Sequence, residues 1–195
     1  MKKYILTIDQ GTTSTRAILF DHKANTIGIY QMEFTQICPK SGYVEHNADE
    51  IYQTVLECIK NVIINASIEP EEIDSIAITN QRETTVAFGF DGHPLANAIC
   101  WQSRQSQKIC DDLIARGYED MIYQKTGLHI NPYFSASKIR YLIDNNQNIK
   151  DLYDAGKVLF GTMDTYILYR LTNGASFKTD ATNASRTMLY NIHTL

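Results

Sequence analysis

The first third of the chain alternates between short apolar runs and polar breaks. Tyr4 to Ile8 is a nearly continuous apolar run with two isoleucines, the pattern of a strand buried on both faces. Asp9 ends it, Gln10-Gly11-Thr12-Thr13-Ser14 follows, and apolar residues resume at Ala17 to Phe20. A glycine beside hydroxyl residues between two such runs predicts a hairpin turn. After a polar turn through Asn25, Ile27 to Phe34 alternates loosely and predicts a third strand. Cys38 to Gly42 contains Pro39 and Gly42 and reads as a loop. Asn47-Ala48-Asp49-Glu50 has the form of a helix start, an Asn cap with a Glu three residues on. Ile51, Val55, Ile59, Val62, Ile63 and Ala66 then recur at three- and four-residue spacing, which predicts an amphipathic helix. Pro70 opens the next connection, and Ile73 to Thr79 predicts a strand returning parallel to the first.

Further on, Val86 to Phe90, Asp91-Gly92 and Leu95 to Trp101 predict strand, turn, strand. Ser103 to Ala115 predicts a helix with Ile109, Cys110, Leu113 and Ile114 on one side, ending near Gly117. A loop is framed by Gly127 and Asn131-Pro132, and Ser135 begins a helix with Ala136, Ile139, Leu142 and Ile143 inward. Val158 to Phe160 is a short strand. Gly161 to Thr165 leads into a helix through Leu171 that is apolar around most of its girth, hence buried. Arg186 to Ile192 predicts a final strand. No internal repeat, low-complexity tract or linker interrupts this α/β pattern.

Composition narrows the function classes. With 195 residues, 44% of them hydrophobic, there is enough chain for one real core. A net charge of −4 with no basic cluster leaves no footprint for nucleic acid and no charge run for a membrane surface. The apolar start is cut by Thr7 and stopped by Asp9, too short for a signal peptide, and no stretch reaches membrane-spanning length, so no membrane insertion is expected. Cys38, Cys58, Cys100 and Cys110 form no C-x-x-C pair, which argues against zinc and thioredoxin-type chemistry. Reduced, mostly buried thiols in a cytoplasmic protein are expected, and the sequons at Asn65 and Asn183 are then chance matches.

Two stretches carry candidate chemistry. In the first turn, the hydroxyls of Thr12, Thr13, Ser14 and Thr15 and the backbone N–H groups make a concave set of donors suited to phosphate oxygens. Gly11 lets the backbone come close to a ligand. Asp9 suits a hydrated Mg²⁺ riding on those phosphates. Taken alone, the same hairpin also reads as a plain turn, and neither G-x-x-x-x-G-K-[ST] nor G-x-G-x-x-G is present. The second stretch, Thr79 to Thr85, follows a predicted strand, where α/β sheets collect ligands. Arg82 and Glu83 there read either as a solvated surface couple or as a polyol clamp, guanidinium donating to two oxygens and carboxylate accepting from hydroxyls. Trp101, the single tryptophan, suits core packing or the C–H face of a polyol. Tyr133 lies beside Pro132 in a loop, where a phenol can donate a directed bond.

Asp9-Gln-Gly-Thr-Thr-Ser14, with Arg16 behind it, resembles the phosphate loop of the FGGY carbohydrate kinases, which share their nucleotide fold with hexokinase and actin. Thr79-Asn-Gln-Arg-Glu-Thr84, Trp101-Gln-Ser-Arg104, Pro132-Tyr-Phe-Ser135, Phe160-Gly-Thr-Met-Asp-Thr165 and Thr182-Asn-Ala-Ser-Arg-Thr-Met188 resemble, in order over essentially the whole chain, the glycerol-phosphorylating branch of that family. The resemblance implies an RNase H-like (actin/hexokinase-type ATPase) α/β fold, its mixed sheet opening β-β-β-α-β with flanking helices. It implies ATP and Mg²⁺ as cofactors, ATP/ADP and glycerol as partners, and a homo-oligomer stays open. Members acting on larger sugars tend to carry Gln-Met-His-Gly where this chain has Gln81-Arg-Glu-Thr, so Arg82 and Glu83 are the discriminating pair. Carried over by position, the glycerol contacts fall on Arg82, Glu83, Trp101 and Tyr133. The ATP phosphate contacts fall on Thr12, Thr13, Ser14 and Arg16, with Asp9 at the metal.

There are two departures. The family's Ser/Thr-x-x-Lys-x-x-Trp pattern is met at Ser135 and Lys138, but Tyr141 stands where Trp is usual. The aspartate that serves as general base belongs to a Gly-Asp-Gln segment this chain does not contain, and the adenine-binding lobe also comes later in the family. Residues 1–195 are therefore expected to be a truncated N-terminal lobe with no catalytic base. Two alternatives stay open: a kinase for another small polyol or sugar of the family, and a non-catalytic actin-like nucleotide-binding or assembly domain.

Overall fold

The computed structural model describes residues 2–195. In chain order the strands are β1 (Tyr4–Gln10), β2 (Ser14–Asp21), β3 (Thr26–Glu33), β4 (Glu45–His46), β5 (Ile73–Asn80), β6 (Thr85–Phe88), β7 (Ala98–Ile99) and β8 (Leu159–Thr162). The α-helices are α1 (Ala48–Ala66), α2 (Gln107–Ala115), α3 (Glu119–Thr126), α4 (Ser135–Asn145), α5 (Gln147–Asp154), α6 (Met163–Leu171) and α7 (Ala181–Ala184). The chain divides into two units, one of residues up to 36 together with 49–81, the other of 37–48 and 82–195.

The first unit carries the expected β-β-β-α-β order. Its sheet runs β3-β2-β1-β5, the first three strands antiparallel and β5 parallel to β1. β1 is not buried on both faces as its apolar run suggested. Leu6, Ile8 and Gln10 are buried, while Ile5, Thr7 and Asp9 alternate with them and are half-exposed. The reason is that a single helix face covers the sheet on one side. Cys58 and Val62 of α1 pack there with Leu6, Ala17 and Leu19, all inaccessible to solvent. Of these, the fully buried Leu6, Leu19 and Val62 side chains each contribute about 1.5–3 kcal/mol.

The second unit is built on an antiparallel sheet, β4-β7-β6-β8: β6, β7 and β8 overlap strands expected from the sequence, while β4 and the order of pairing were not foreseen. All four residues of β6 are buried. Ala87 and Ile99 pack with Leu142 and Ile143 of α4 and Ile149 of α5. Phe88 meets Tyr166 and Tyr169 of the buried helix α6, each at 5.3 Å between ring centroids. Three helices, α3, α5 and the short α7, went unpredicted. The strand expected over 186–192 is absent: the segment is turn and irregular backbone, and Met188 adopts φ 60°, which no strand accommodates. Of the cysteines, Cys58, Cys100 and Cys110 are buried and Cys38 is exposed. Among the described residues, no helix is long and apolar enough to cross a membrane.

Candidate functional site

In the first unit, β1 and β5 run parallel, so Asp9-Gln10 and Asn80-Gln81 end at one edge. Gln81 fastens that edge, its N–H donating to Gln10 O at 2.6 Å and its Nε2 to Gln10 Oε1 at 3.2 Å. From there the chain reverses, and the Gly11 N–H closes the turn on Ser14 O at 2.9 Å. A Cβ on Gly11 would stand 3.2 Å from that same oxygen, so what the glycine admits is the turn's own carbonyl. Thr13 is exposed and Thr12 and Ser14 are half-buried. Thr15, counted among the hydroxyl donors, does not belong with them. It is buried, and its Oγ1 shares a hydrogen bond of 2.7 Å with Thr54 Oγ1, because strand alternation turns it toward α1.

Arg16 faces Asp9 across the hairpin. Its Nη1 lies 3.8 Å from Asp9 Oδ2, with side chains 41% and 38% exposed, and its Nε donates to Gln31 Oε1 at 3.1 Å. A pair this open contributes about 1 kcal/mol at most, so Asp9 can exchange it for another cation. No group of three or more His, Cys, Asp or Glu among the described residues could hold a metal ion. A lone half-exposed carboxylate instead fits Mg²⁺ that arrives on phosphates and keeps most of its waters.

In the second unit, three of the four anticipated acceptor residues come together. Glu83 follows the boundary of the unit in a left-handed backbone conformation, φ 63°, which is strained for a residue with a Cβ. Two hydroxyls pin its carbonyl: Ser135 Oγ donates at 3.2 Å and Thr85 Oγ1 at 3.1 Å. The carboxylate is only 3% exposed and is met by Arg186, whose Nε donates to Oε1 at 2.7 Å. The same guanidinium lies 4.9 Å from the Phe134 ring centroid and 5.6 Å from that of Tyr133. Tyr133 meets the Trp101 ring edge-on at 5.4 Å, and the Trp101 backbone N–H donates to Thr84 Oγ1 at 3.1 Å, next to Glu83 in the chain. The contacts thus close a ring: Glu83, Thr84, Trp101, Tyr133, Arg186, Glu83. Arg82 stands outside this ring, exposed at the head of the same loop.

Beneath the ring lies Lys138, on the first turns of α4 and fully buried. Its ammonium donates to the carbonyls of Tyr133 and Phe134, the latter at 3.2 Å. Burial pushes its pKa down to about 7, against the pull of the Glu83 carboxylate, which raises it. Tyr141, one turn further along, packs edge-on to Tyr43 at 6.4 Å, a packing role that explains how the position tolerates a ring other than indole. Arg186 is the residue that reasoning from the sequence passed over. It lies within the quoted Thr182–Met188 motif, but its partner is 103 positions away.

The profile of the FGGY family of carbohydrate kinases, N-terminal domain, matches residues 4–195. The chain is 53% identical over 195 residues to a glycerol kinase of Enterococcus casseliflavus, an alignment covering all of this chain and 38% of that protein. With a glycerol kinase of Shewanella frigidimarina it shares 51% identity, over all of this chain and 39% of the other. The crystal structure of Plasmodium falciparum glycerol kinase with ADP superposes with a TM-score of 0.90 at 36% identity, covering 98% of this chain and 38% of that one. The chain therefore spans about two fifths of the length of the relatives it matches, and it belongs to the FGGY family of carbohydrate kinases, with residues 4–195 corresponding to the family's N-terminal domain.

Proposed function

We propose that this chain is the acceptor-binding part of an ATP-dependent glycerol kinase, which moves the γ-phosphoryl group of ATP to a terminal hydroxyl of glycerol. The observation that carries the reading is the ring around Glu83. A buried carboxylate held by an arginine, an aromatic wall of Trp101 and Tyr133, and the exposed Arg82 guanidinium nearby suit a short polyol. Arg186 engages Oε1, so Oε2 of Glu83 accepts a substrate hydroxyl. Arg82 donates to the polyol oxygens, Tyr133 directs its phenol, and Trp101 covers the C–H side.

In the first unit, Thr12, Thr13, Ser14 and Arg16 donate to the nucleotide phosphates. Asp9 would hold Mg²⁺, which, when bound, neutralises phosphate charge. Catalysis by these residues is positioning and charge stabilisation. The compartment proposed is the cytoplasm, where ATP is available.

An acceptor panel on the full-length protein tests the reading. Glycerol is expected to give a higher kcat/KM than pentuloses or gluconate, and preference for a five- or six-carbon acceptor would overturn it. Residues 1–195 expressed alone are expected to show no ATP-dependent phosphorylation of glycerol, since the resemblance puts the proton-accepting aspartate in a Gly-Asp-Gln segment they lack. Turnover by that piece would refute the assignment of the base.

A further inference from the structure

Glu83 needs help to act as an acceptor of hydroxyl protons. Its backbone is in a strained left-handed conformation and its carboxylate is almost wholly buried, yet a carboxylate can rotate about its last bonds. Ser135 and Thr85 fix only its carbonyl. The hydrogen bond that reaches the carboxylate itself comes from Arg186 Nε, at 2.7 Å. Arg186 is in turn held from three sides. Its backbone N–H donates to Asn183 O at 3.0 Å, in the turn capped by Asp180, whose Oδ1 accepts from Asn183 N at 2.8 Å. The next residue, Thr187, accepts through its carbonyl from Ala136 N of α4 at 2.8 Å. Its guanidinium plane lies over Phe134 and beside Tyr133.

We infer that Arg186 is the positioning residue of the acceptor site, fixing the Glu83 carboxylate and the Tyr133 ring in one relative geometry so that a short polyol meets both at once. The inference rests on the kinase reading above and extends it to a residue that touches Glu83 and Tyr133. Arginine suits the task because its rigid planar fork donates in a fixed direction while its face stacks on rings. Lysine, a flexible point charge, supplies neither. Arg186 therefore acts on acceptor affinity and selectivity rather than on the nucleotide.

The test compares the wild-type full-length protein with Arg186→Lys and Arg186→Met. Both variants are expected to raise the KM for glycerol roughly 10- to 100-fold, the range for losing an oriented charged hydrogen bond, while the KM for ATP moves less than about twofold. Arg186→Lys is expected to recover little of the loss despite keeping the charge. The emission of Trp101, obtained as the difference from the Trp101→Phe protein, is expected to change in both variants before any ligand is added, because Tyr133 is released.

Three results would overturn the inference: an unchanged glycerol KM, equal loss for glycerol and ATP, or full rescue by lysine. Should Arg186→Met fail to fold, Arg186→Lys decides by the same KM comparison at wild-type melting temperature. The two readings fail differently. If wild-type protein phosphorylates glycerol and Arg186→Lys behaves identically, only the positioning role falls. If wild-type protein phosphorylates no polyol, the kinase reading falls and this inference falls with it.

Discussion

The turn at residues 11–14 and the ring around Glu83 differ in how much of their geometry is fixed before a ligand arrives. The turn is closed by backbone, Gly11 to Ser14; Thr13 is exposed, and the half-buried Ser14 hydroxyl accepts from Gln31 Nε2 at 3.1 Å. The ion pair flanking it, Asp9 with Arg16, is long and about two-fifths exposed. The ring is nearly the opposite: a strained backbone, a carboxylate out of water, an arginine sandwiched against aromatics and a buried lysine underneath. What the difference teaches is where substitutions should hurt. Backbone donors survive a change of side chain, whereas a buried charge stripped of its partner leaves the other charge unsatisfied.

The largest effect is expected at Glu83. In the full-length protein Glu83→Ala should lower kcat/KM for glycerol by about 10²- to 10³-fold, as for loss of a buried charged hydrogen-bond partner, with ATP binding changed only slightly. Steady-state kinetics and nucleotide titration measure both. Equal damage to the two would mean that the residue serves the fold, and the contrast between turn and ring would dissolve.

A smaller effect is expected from Lys138. Its pKa is near 7 in the folded protein and 10.5 when unfolded, so between these values the unfolded chain holds a proton that the folded one has released. Raising pH in that window therefore favours folding. Below about pH 7 both states are protonated and this dependence vanishes. Above about pH 9 the buried thiols of Cys58, Cys100 and Cys110, whose pKa values burial raises, work in the opposite direction. Stability should thus climb by about 2 kcal/mol between pH 7 and 9, two pKa units of linkage with a discount for relaxation. Lys138→Met should flatten the climb in urea titrations at each pH. An equal slope in both proteins would refute the assignment.

The smallest effect is expected at Arg16. Replacing it with Ala should change unfolding stability by less than about 1 kcal/mol, because the pair with Asp9 is solvated. The same change should weaken ATP a few-fold and leave the glycerol KM alone. A change in glycerol KM as large as that of the Arg186 variants would erase the distinction between the two regions.

The opening β-β-β-α-β order was legible because period-two and period-3.6 patterns are strong there, and the Asn47-to-Glu50 cap marks the helix start. Helix α5 was not, since its surface is held by polar pairs four residues apart, Gln147 to Asp151 and Lys150 to Asp154, with Ile149 its one buried residue. Helix α3 has a similarly thin apolar face, with only Thr126 buried. Of the proposed acceptor residues, Glu83, Trp101 and Tyr133 were named from motifs, and the fold links them through Thr84 and Arg186. Arg186 escaped notice because the bond that gives it meaning spans the length of the second unit, and the apolar residues around it mimic a strand.

The left-handed backbone at Glu83 also limits how this position can be recoded. Valine, isoleucine and threonine are sterically unfit for that region of φ, while glycine and asparagine enter it readily. A library aimed at new acceptors will therefore reach residue 83 mainly with side chains that are not branched at Cβ. Wider chemical variety has to be introduced next door, at Arg82, whose side chain is exposed and whose backbone has a negative φ.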